Sequence, residues 1–221
     1  MRVAIAPFEV QVDDSVLEDL RRRLTATRFP DQIEGTGWEY GIPIDYLREL
    51  VAYWRDTYDW RAEEARLNEL DHFRTEVDGQ SVHFIHARSG HEDALPLLIT
   101  HGWPGSVVEF LDVIPLLTQE FHVVVPSLPG YGFSEPTRTR GWDVWRIAAA
   151  FSELMSRLGY SRYGAQGGDW GAQVATRIGA LDPEHCAAIH LNMAIVDPPD
   201  DPVPLTDQTA TKKRPAVRPP S

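Results

Sequence analysis

The chain has 221 residues, a formal charge of −12, 43% hydrophobic and 24% charged residues, a globular profile of between one and two domains. The acidic balance argues against a nucleic-acid partner, because holding phosphates needs a basic surface, and a single cysteine, Cys186, excludes a disulfide scaffold and a thiolate metal cluster. No stretch approaches the ~20 apolar residues of a membrane span and the opening MRVAIAPF is too short for a signal core, so a cytoplasmic protein with no membrane partner is expected.

From Asp13 onward the sequence reads as helices. Asp13 or Asp14 can cap a segment in which Val16, Leu17, Leu20 and Leu24 recur at helical spacing, ended by Phe29-Pro30. Gly35, Gly37 and Gly41 mark a loop, Pro43 suits a first helical turn, and Leu47, Leu50, Val51 and Trp54 form a second apolar stripe. Trp60 to Leu70 is expected to be a third helix. Trp38, Tyr53, Trp54, Tyr58 and Trp60 are read as packing residues rather than a binding box.

Beyond Leu70 the period changes. Phe73 to Val77 and Val82 to His86 flank Asp78-Gly79, a hairpin signal. Strand-length apolar runs follow at Leu95 to Thr100, Val123 to Val125, Tyr163 to Gln166 and Ala187 to Leu191, separated by expected helices over Ser106 to Leu117, Trp142 to Leu158 and Ala172 to Leu181. Strands alternating with helices after a hairpin predict an α/β sheet with an antiparallel start and parallel continuation. Residues 197–221 are proline-rich and expected to be a disordered tail. Lys212, Lys213, Arg214 and Arg218 fall in the last ten residues with no acid among them, leaving −16 on the remainder. That inversion suggests a changed reading frame near Thr206 to Lys212.

Three segments carry chemistry. Gly164-Ala165-Gln166-Gly167-Gly168-Asp169-Trp170-Gly171-Ala172 lies between an expected strand and an expected helix. A strand-to-helix turn this tight strains its central residue, so small residues must stand two before it and two and three after it, as Gly167, Gly171 and Ala172 do. This is the pattern of a nucleophile elbow with Asp169 in the nucleophile's place; the alternative is a helix cap starting at Asp169. His101-Gly102-Trp103-Pro104-Gly105-Ser106 follows the strand Leu95 to Thr100, and its Gly102 and Pro104 shape a turn that can aim the Trp103 amide at a reacting oxygen. With the Trp170 amide this makes a two-donor oxyanion hole. His101 is read as a structural hydrogen-bonding residue beneath that turn. Pro126-Ser127-Leu128-Pro129-Gly130-Tyr131-Gly132-Phe133-Ser134 is a rigid loop after the next strand.

In this order the segments resemble the α/β-hydrolase superfamily. An aspartate in GGDWG, the extended HGWPGS, the SLPGYGFS loop and a helical N-terminal extension containing GTGWEYGIP are similar to the epoxide hydrolases of the microsomal and juvenile-hormone type, over roughly residues 5–205. The resemblance implies residues 1–90 as the extension, helical and then a hairpin, and residues 91–196 as the first part of the hydrolase core, with the lid and last strands missing. It implies a small-molecule epoxide as substrate, an ester on Asp169 as intermediate, and no metal or organic cofactor. A haloalkane dehalogenase-like hydrolase is the alternative within enzymes, and a non-catalytic remnant the alternative outside them.

The same resemblance requires a later acid and histidine and a lid carrying tyrosines. The later histidines are His185, in a helix-to-strand connection, and His190, read as a packed sheet residue; neither is expected to be the base. Tyr131, Tyr160 and Tyr163 do not match the lid positions. The chain is therefore expected to be inactive alone, and to self-associate through an exposed sheet edge.

Overall fold

In the computed structural model, residues 4–195 are described; the expected tail, 197–221, lies outside them. A seven-stranded sheet runs in the order β1-β2-β3-β5-β4-β6-β7. Its strands are β1 (Ala6–Phe8), β2 (His72–Val77), β3 (Gln80–Ala87), β4 (Leu95–Thr100), β5 (Phe121–Pro126), β6 (Tyr163–Gly167) and β7 (Cys186–Leu191). The first four in spatial order pair antiparallel, and β5, β4, β6 and β7 pair parallel. The hairpin turns on Asp78 and Gly79, at φ 51° and 73°. Two consecutive positive φ values are what a two-residue turn needs to match the twist of its strands. Strand β1 has three residues and no alternation, so nothing in its sequence announced it; pairing with β2 creates it.

Each helix follows from local chemistry. In α1 (Asp14–Thr25) the Asp13 side chain accepts the Ser15 amide, and Leu17 and Leu24 are buried. In α3 (Trp60–Leu67) Asp59 accepts the amides of Arg61 and Ala62, and the helix stops three residues short of Leu70. Asp143 caps α5 (Val144–Arg157) in the same way, and α6 (Trp170–Leu181) leaves the elbow directly. The single helix expected over Ser106 to Leu117 is instead a 3-10 turn, Val107–Phe110, and a one-turn α4 (Ile114–Leu117). Pro115 lacks the amide that a continuous helix would need there.

The sheet has two cores. On one face Phe84, Leu98, Val124 and Ala165 meet α5 and α6 through Phe151, Leu154, Val174 and Ile178. On the other Ile85, Ile99, Val123 and Val125 meet Val10, Leu67, Val107 and Ile114. The aromatics of α2 (Ile44–Asp56) and its flanks do not pack as expected: Trp38, Tyr53, Trp54 and Tyr58 are exposed, and α2 buries no residue. It lies chiefly against α1. Only Trp60 is partly buried, against the second core. At the other end β7 is the last strand among the described residues, with Ala187 to His190 exposed. His190 is therefore exposed rather than packed: β6 pairs with β7 and α6 lies against it, yet neither covers that side chain. No helix among the described residues is long and apolar enough to cross a membrane.

Candidate active site

The carboxyl ends of β4 and β6 stand side by side, Thr100 opposite Gly167. Chains leaving adjacent parallel strands in this way make a crevice, the usual ligand position in an open α/β sheet. From β4 leaves the turn His101 to Ser106, and from β6 leaves the elbow. Asp169 sits at φ 52°, ψ −126°, outside the regions favoured by a residue with a side chain. The neighbouring glycines make that possible by close approach. A Cβ on Gly167 would lie 2.0 Å from the Gly171 carbonyl oxygen, and one on Gly171 would lie 2.0 Å from the Thr100 carbonyl oxygen. Strand, turn and helix are thus in backbone contact, which is why small residues are required at those spacings.

The Asp169 side chain rests on the Gly102 backbone, where a Cβ would lie 2.4 Å from Oδ1. The Trp103 amide donates to Oδ1 at 2.7 Å. That amide, and next the Trp170 amide, hold the carboxyl below the usual carboxylate range, so it is an anion at neutral pH. Trp103 precedes Pro104 through a cis peptide bond. Trp103, which lines the cleft, and Trp170 are both more than half exposed.

His101 is buried beneath the turn. Its Nδ1 meets the Gly102 carbonyl at 2.9 Å and its Nε2 accepts the Leu128 amide at 3.1 Å. Because a carbonyl can only accept, the proton sits on Nδ1 and both ring nitrogens are engaged. Burial pushes its pKa down, keeping the ring neutral.

The cleft has a volume of about 440 Å³. Besides the residues singled out from sequence it is lined by Glu109, Phe110, Gln166 and Asn192. Gln166 Nε2 donates to Asn192 Oδ1 at 3.1 Å, and the Asn192 amide donates to the Gly167 carbonyl at 3.1 Å. Glu109 had a visible signal, since it stands three residues after Ser106 and completes a capping box with it. Asn192 had none beyond its place just after a strand.

The two late histidines are elsewhere. His185 pairs through Nδ1 with Asp182 Oδ1 at 2.5 Å, and this partner raises its pKa. Its carbonyl accepts the Tyr163 amide, at the opposite end of β6 from Asp169. Five strand residues separate the two ends, roughly 16 Å at the rise of a strand. His190 lines a neighbouring apolar groove beside Leu97 and Phe121. Among the described residues His101 is the one histidine lining the cleft, and no group of three or more metal-ligating side chains is found.

Comparison with known proteins agrees with the fold. Residues 5–110 match the family described as epoxide hydrolase N terminus, and residues 96–217 the alpha/beta hydrolase fold. A protein of Stigmatella aurantiaca (strain DW4/3-1) is 50% identical over 95% of this chain and 50% of its own length. Epoxide hydrolase 1 of Sus scrofa is 40% identical over 87% of this chain and 46% of its own. The crystal structure of juvenile hormone epoxide hydrolase from the silkworm Bombyx mori superposes with a TM-score of 0.80 at 36% identity, covering 86% of this chain and 53% of that one. The chain spans about half the length of the curated relatives it matches.

Proposed function

This chain belongs to the epoxide hydrolase family of the α/β-hydrolase fold, and we propose that its cleft opens a small-molecule epoxide through an ester on Asp169. The observation that supports this reading is the Trp103 amide on Asp169 Oδ1. With Oδ1 held, Oδ2 is the oxygen left to attack. Its lone pair forms a bond to an epoxide carbon, the ring C–O bond breaks, and the ring oxygen takes up a proton from solvent water. Oδ1 becomes the ester carbonyl oxygen, already held by the Trp103 amide.

Water attacking Cγ, with loss of a proton to solvent, then places negative charge on Oδ1, where the Trp103 and Trp170 amides stabilise it as an oxyanion hole. Collapse expels the diol oxygen, which is protonated, and the carboxylate returns. A serine in the same place would leave an ether, which this route cannot reverse; a carboxylate leaves an ester, which it can. Neither metal nor organic cofactor enters these steps. Gly102, Pro104, Gly167 and Gly171 hold the turns, and His101 supports the first of them.

Water attack is the weak step on this chain. Neither nitrogen of His101 is free, and no other described histidine reaches the cleft. The ester therefore forms once and persists, and the chain alone does not turn over. Incubation with styrene oxide should add one epoxide mass per chain, mapped to Asp169 and absent from Asp169→Asn. A label elsewhere, or an equal label in the variant, would overturn the assignment. Repeated turnover would refute the missing base, and stoichiometric bromide release from a bromoalkane would favour a dehalogenase.

The same reading includes self-association. The outer edge of β7 carries no charged side chain, and Ile189, Met193 and Ile195 beside it are exposed, a template for pairing with a second chain.

A further inference from the structure

A second network, unused by the chemistry above, joins β2 and β3 to the loop after β5. His72 at the start of β2 and His83 in β3 are buried, as is Ser127 in the loop after β5. His72 Nε2 lies 2.7 Å from the Leu67 carbonyl at the end of α3. Its Nδ1 lies 2.8 Å from His83 Nε2, and His83 Nδ1 lies 2.9 Å from Ser127 Oγ.

The carbonyl fixes the direction of every bond. It can only accept, so His72 carries its proton on Nε2 and is bare at Nδ1; His83 must donate from Nε2 and is bare at Nδ1; Ser127 must donate its hydroxyl. His83 also grips the loop by its backbone. The Ser127 amide donates to the His83 carbonyl at 2.9 Å, and the His83 amide donates to Ser134 Oγ at 2.9 Å. Ser134 in turn donates to the Ser127 carbonyl at 2.8 Å. One residue along, the Leu128 amide donates to His101 Nε2. Through Gly102 that ring borders the Trp103 amide on Asp169.

We propose that His72, His83 and Ser127 are positioning residues, a one-directional buried relay that anchors the loop Ser127–Ser134 to the end of α3 and thereby holds the Trp103 amide on Asp169. The role given to Trp103 and Asp169 rests on the function proposed above; the relay itself does not. A proton on His72 Nδ1 would set donor against donor at the His72–His83 bond, whereas one on His83 Nδ1 would turn the Ser127 hydroxyl from donor to acceptor, so the relay is also acid-sensitive. The charged groups facing it are Arg74 on β2, which opposes protonation of His83, and Asp71, which favours protonation of His72. The other faces are neutral: the rings of Phe8 from β1 and Phe133 from the loop, the Ser127 and Ser134 hydroxyls, and the Leu67 carbonyl of α3.

The test is 15N NMR on the whole chain with labelled histidine, joined to amide exchange. His72 and His83 should be protonated at Nε2 and His101 at Nδ1, and the Trp103 amide shift should follow the His83 ring on acidification. Ser127→Ala should speed exchange at Leu128 and Trp103 about fivefold, the equivalent of one ordinary hydrogen bond, while amides of α5 are unchanged. The opposite tautomers, a Trp103 amide indifferent to the ring, or unchanged exchange in Ser127→Ala would overturn the proposal. If styrene oxide fails to label Asp169 while these signals appear, the relay stands and the proposed function falls.

Discussion

Gly171→Ala tests whether the elbow depends on backbone contact between α6 and β4. The new Cβ would stand 2.0 Å from the Thr100 carbonyl oxygen and 2.7 Å from that of His101. Both obstacles are main chain, so no side-chain rotation relieves them. Reaching an ordinary contact near 3.4 Å requires α6 to move off β4 by about 1.4 Å. Overpacking of this kind costs about 1–3 kcal/mol, which in a chain of this size lowers Tm by about 2–12 °C. Asp169 begins the same helix, so the movement also lengthens the 2.7 Å bond from Trp103. A misplacement of about 1 Å costs on the order of 100-fold in rate, so styrene oxide labelling of Asp169 should slow by that factor. Thermal unfolding by circular dichroism and intact mass over time measure the two effects. Gly90→Ala is the control, because a Cβ there meets nothing within 4 Å. A Gly171→Ala protein with the unfolding and labelling behaviour of that control would refute the argument.

Asp169→Gly should abolish labelling yet raise Tm by about 2–4 °C, because glycine accepts φ 52° without the steric cost that a side chain meets; a lower Tm would mean the residue is not strained. Burial lowers the pKa of His83 to about 3 and of His86 to about 4. The unfolded chain binds these protons near pH 6.5 and the folded one does not. Their contribution is thus complete above pH 6.5 and is lost toward pH 4 and then pH 3, by at most about 1.4 kcal/mol per pH unit for each ring. Urea midpoints unchanged between pH 7 and 4.5 would contradict it. Phe151→Ala, in the core between α5 and the sheet, should cost about 3–5 kcal/mol in urea unfolding, and a loss under 1 kcal/mol would mean that core is not packed as described. Ile189→Lys should weaken self-association in sedimentation runs at increasing concentration, whereas equal association would move the contact away from β7.

The segments that build the candidate site were legible because their constraints are local. A strained strand-to-helix turn tolerates only small neighbours, so Gly167, Gly171 and Ala172 mark Asp169 from spacing alone. Asp78-Gly79 marks its hairpin for a similar reason, since consecutive positive φ values restrict the residue choice. Long-range contacts left no such trace. Strand β1 exists only through its pairing with β2, and the helix expected over Ser106 to Leu117 breaks ahead of Pro115 into two short turns. Periodicity gave α2 an apolar stripe, but only the tertiary arrangement decided that its aromatics are exposed and that the helix lies chiefly against α1. The same holds for the histidines. Sequence order could exclude His185 and His190 from a late catalytic loop, yet it could not tell that His185 pairs with Asp182 at the far end of β6. Nor could it tell that His72 and His83, eleven positions apart, share one hydrogen bond. A residue's chemistry is written in its type and neighbours, whereas its proton, partner and exposure are set by segments that meet only when the chain folds.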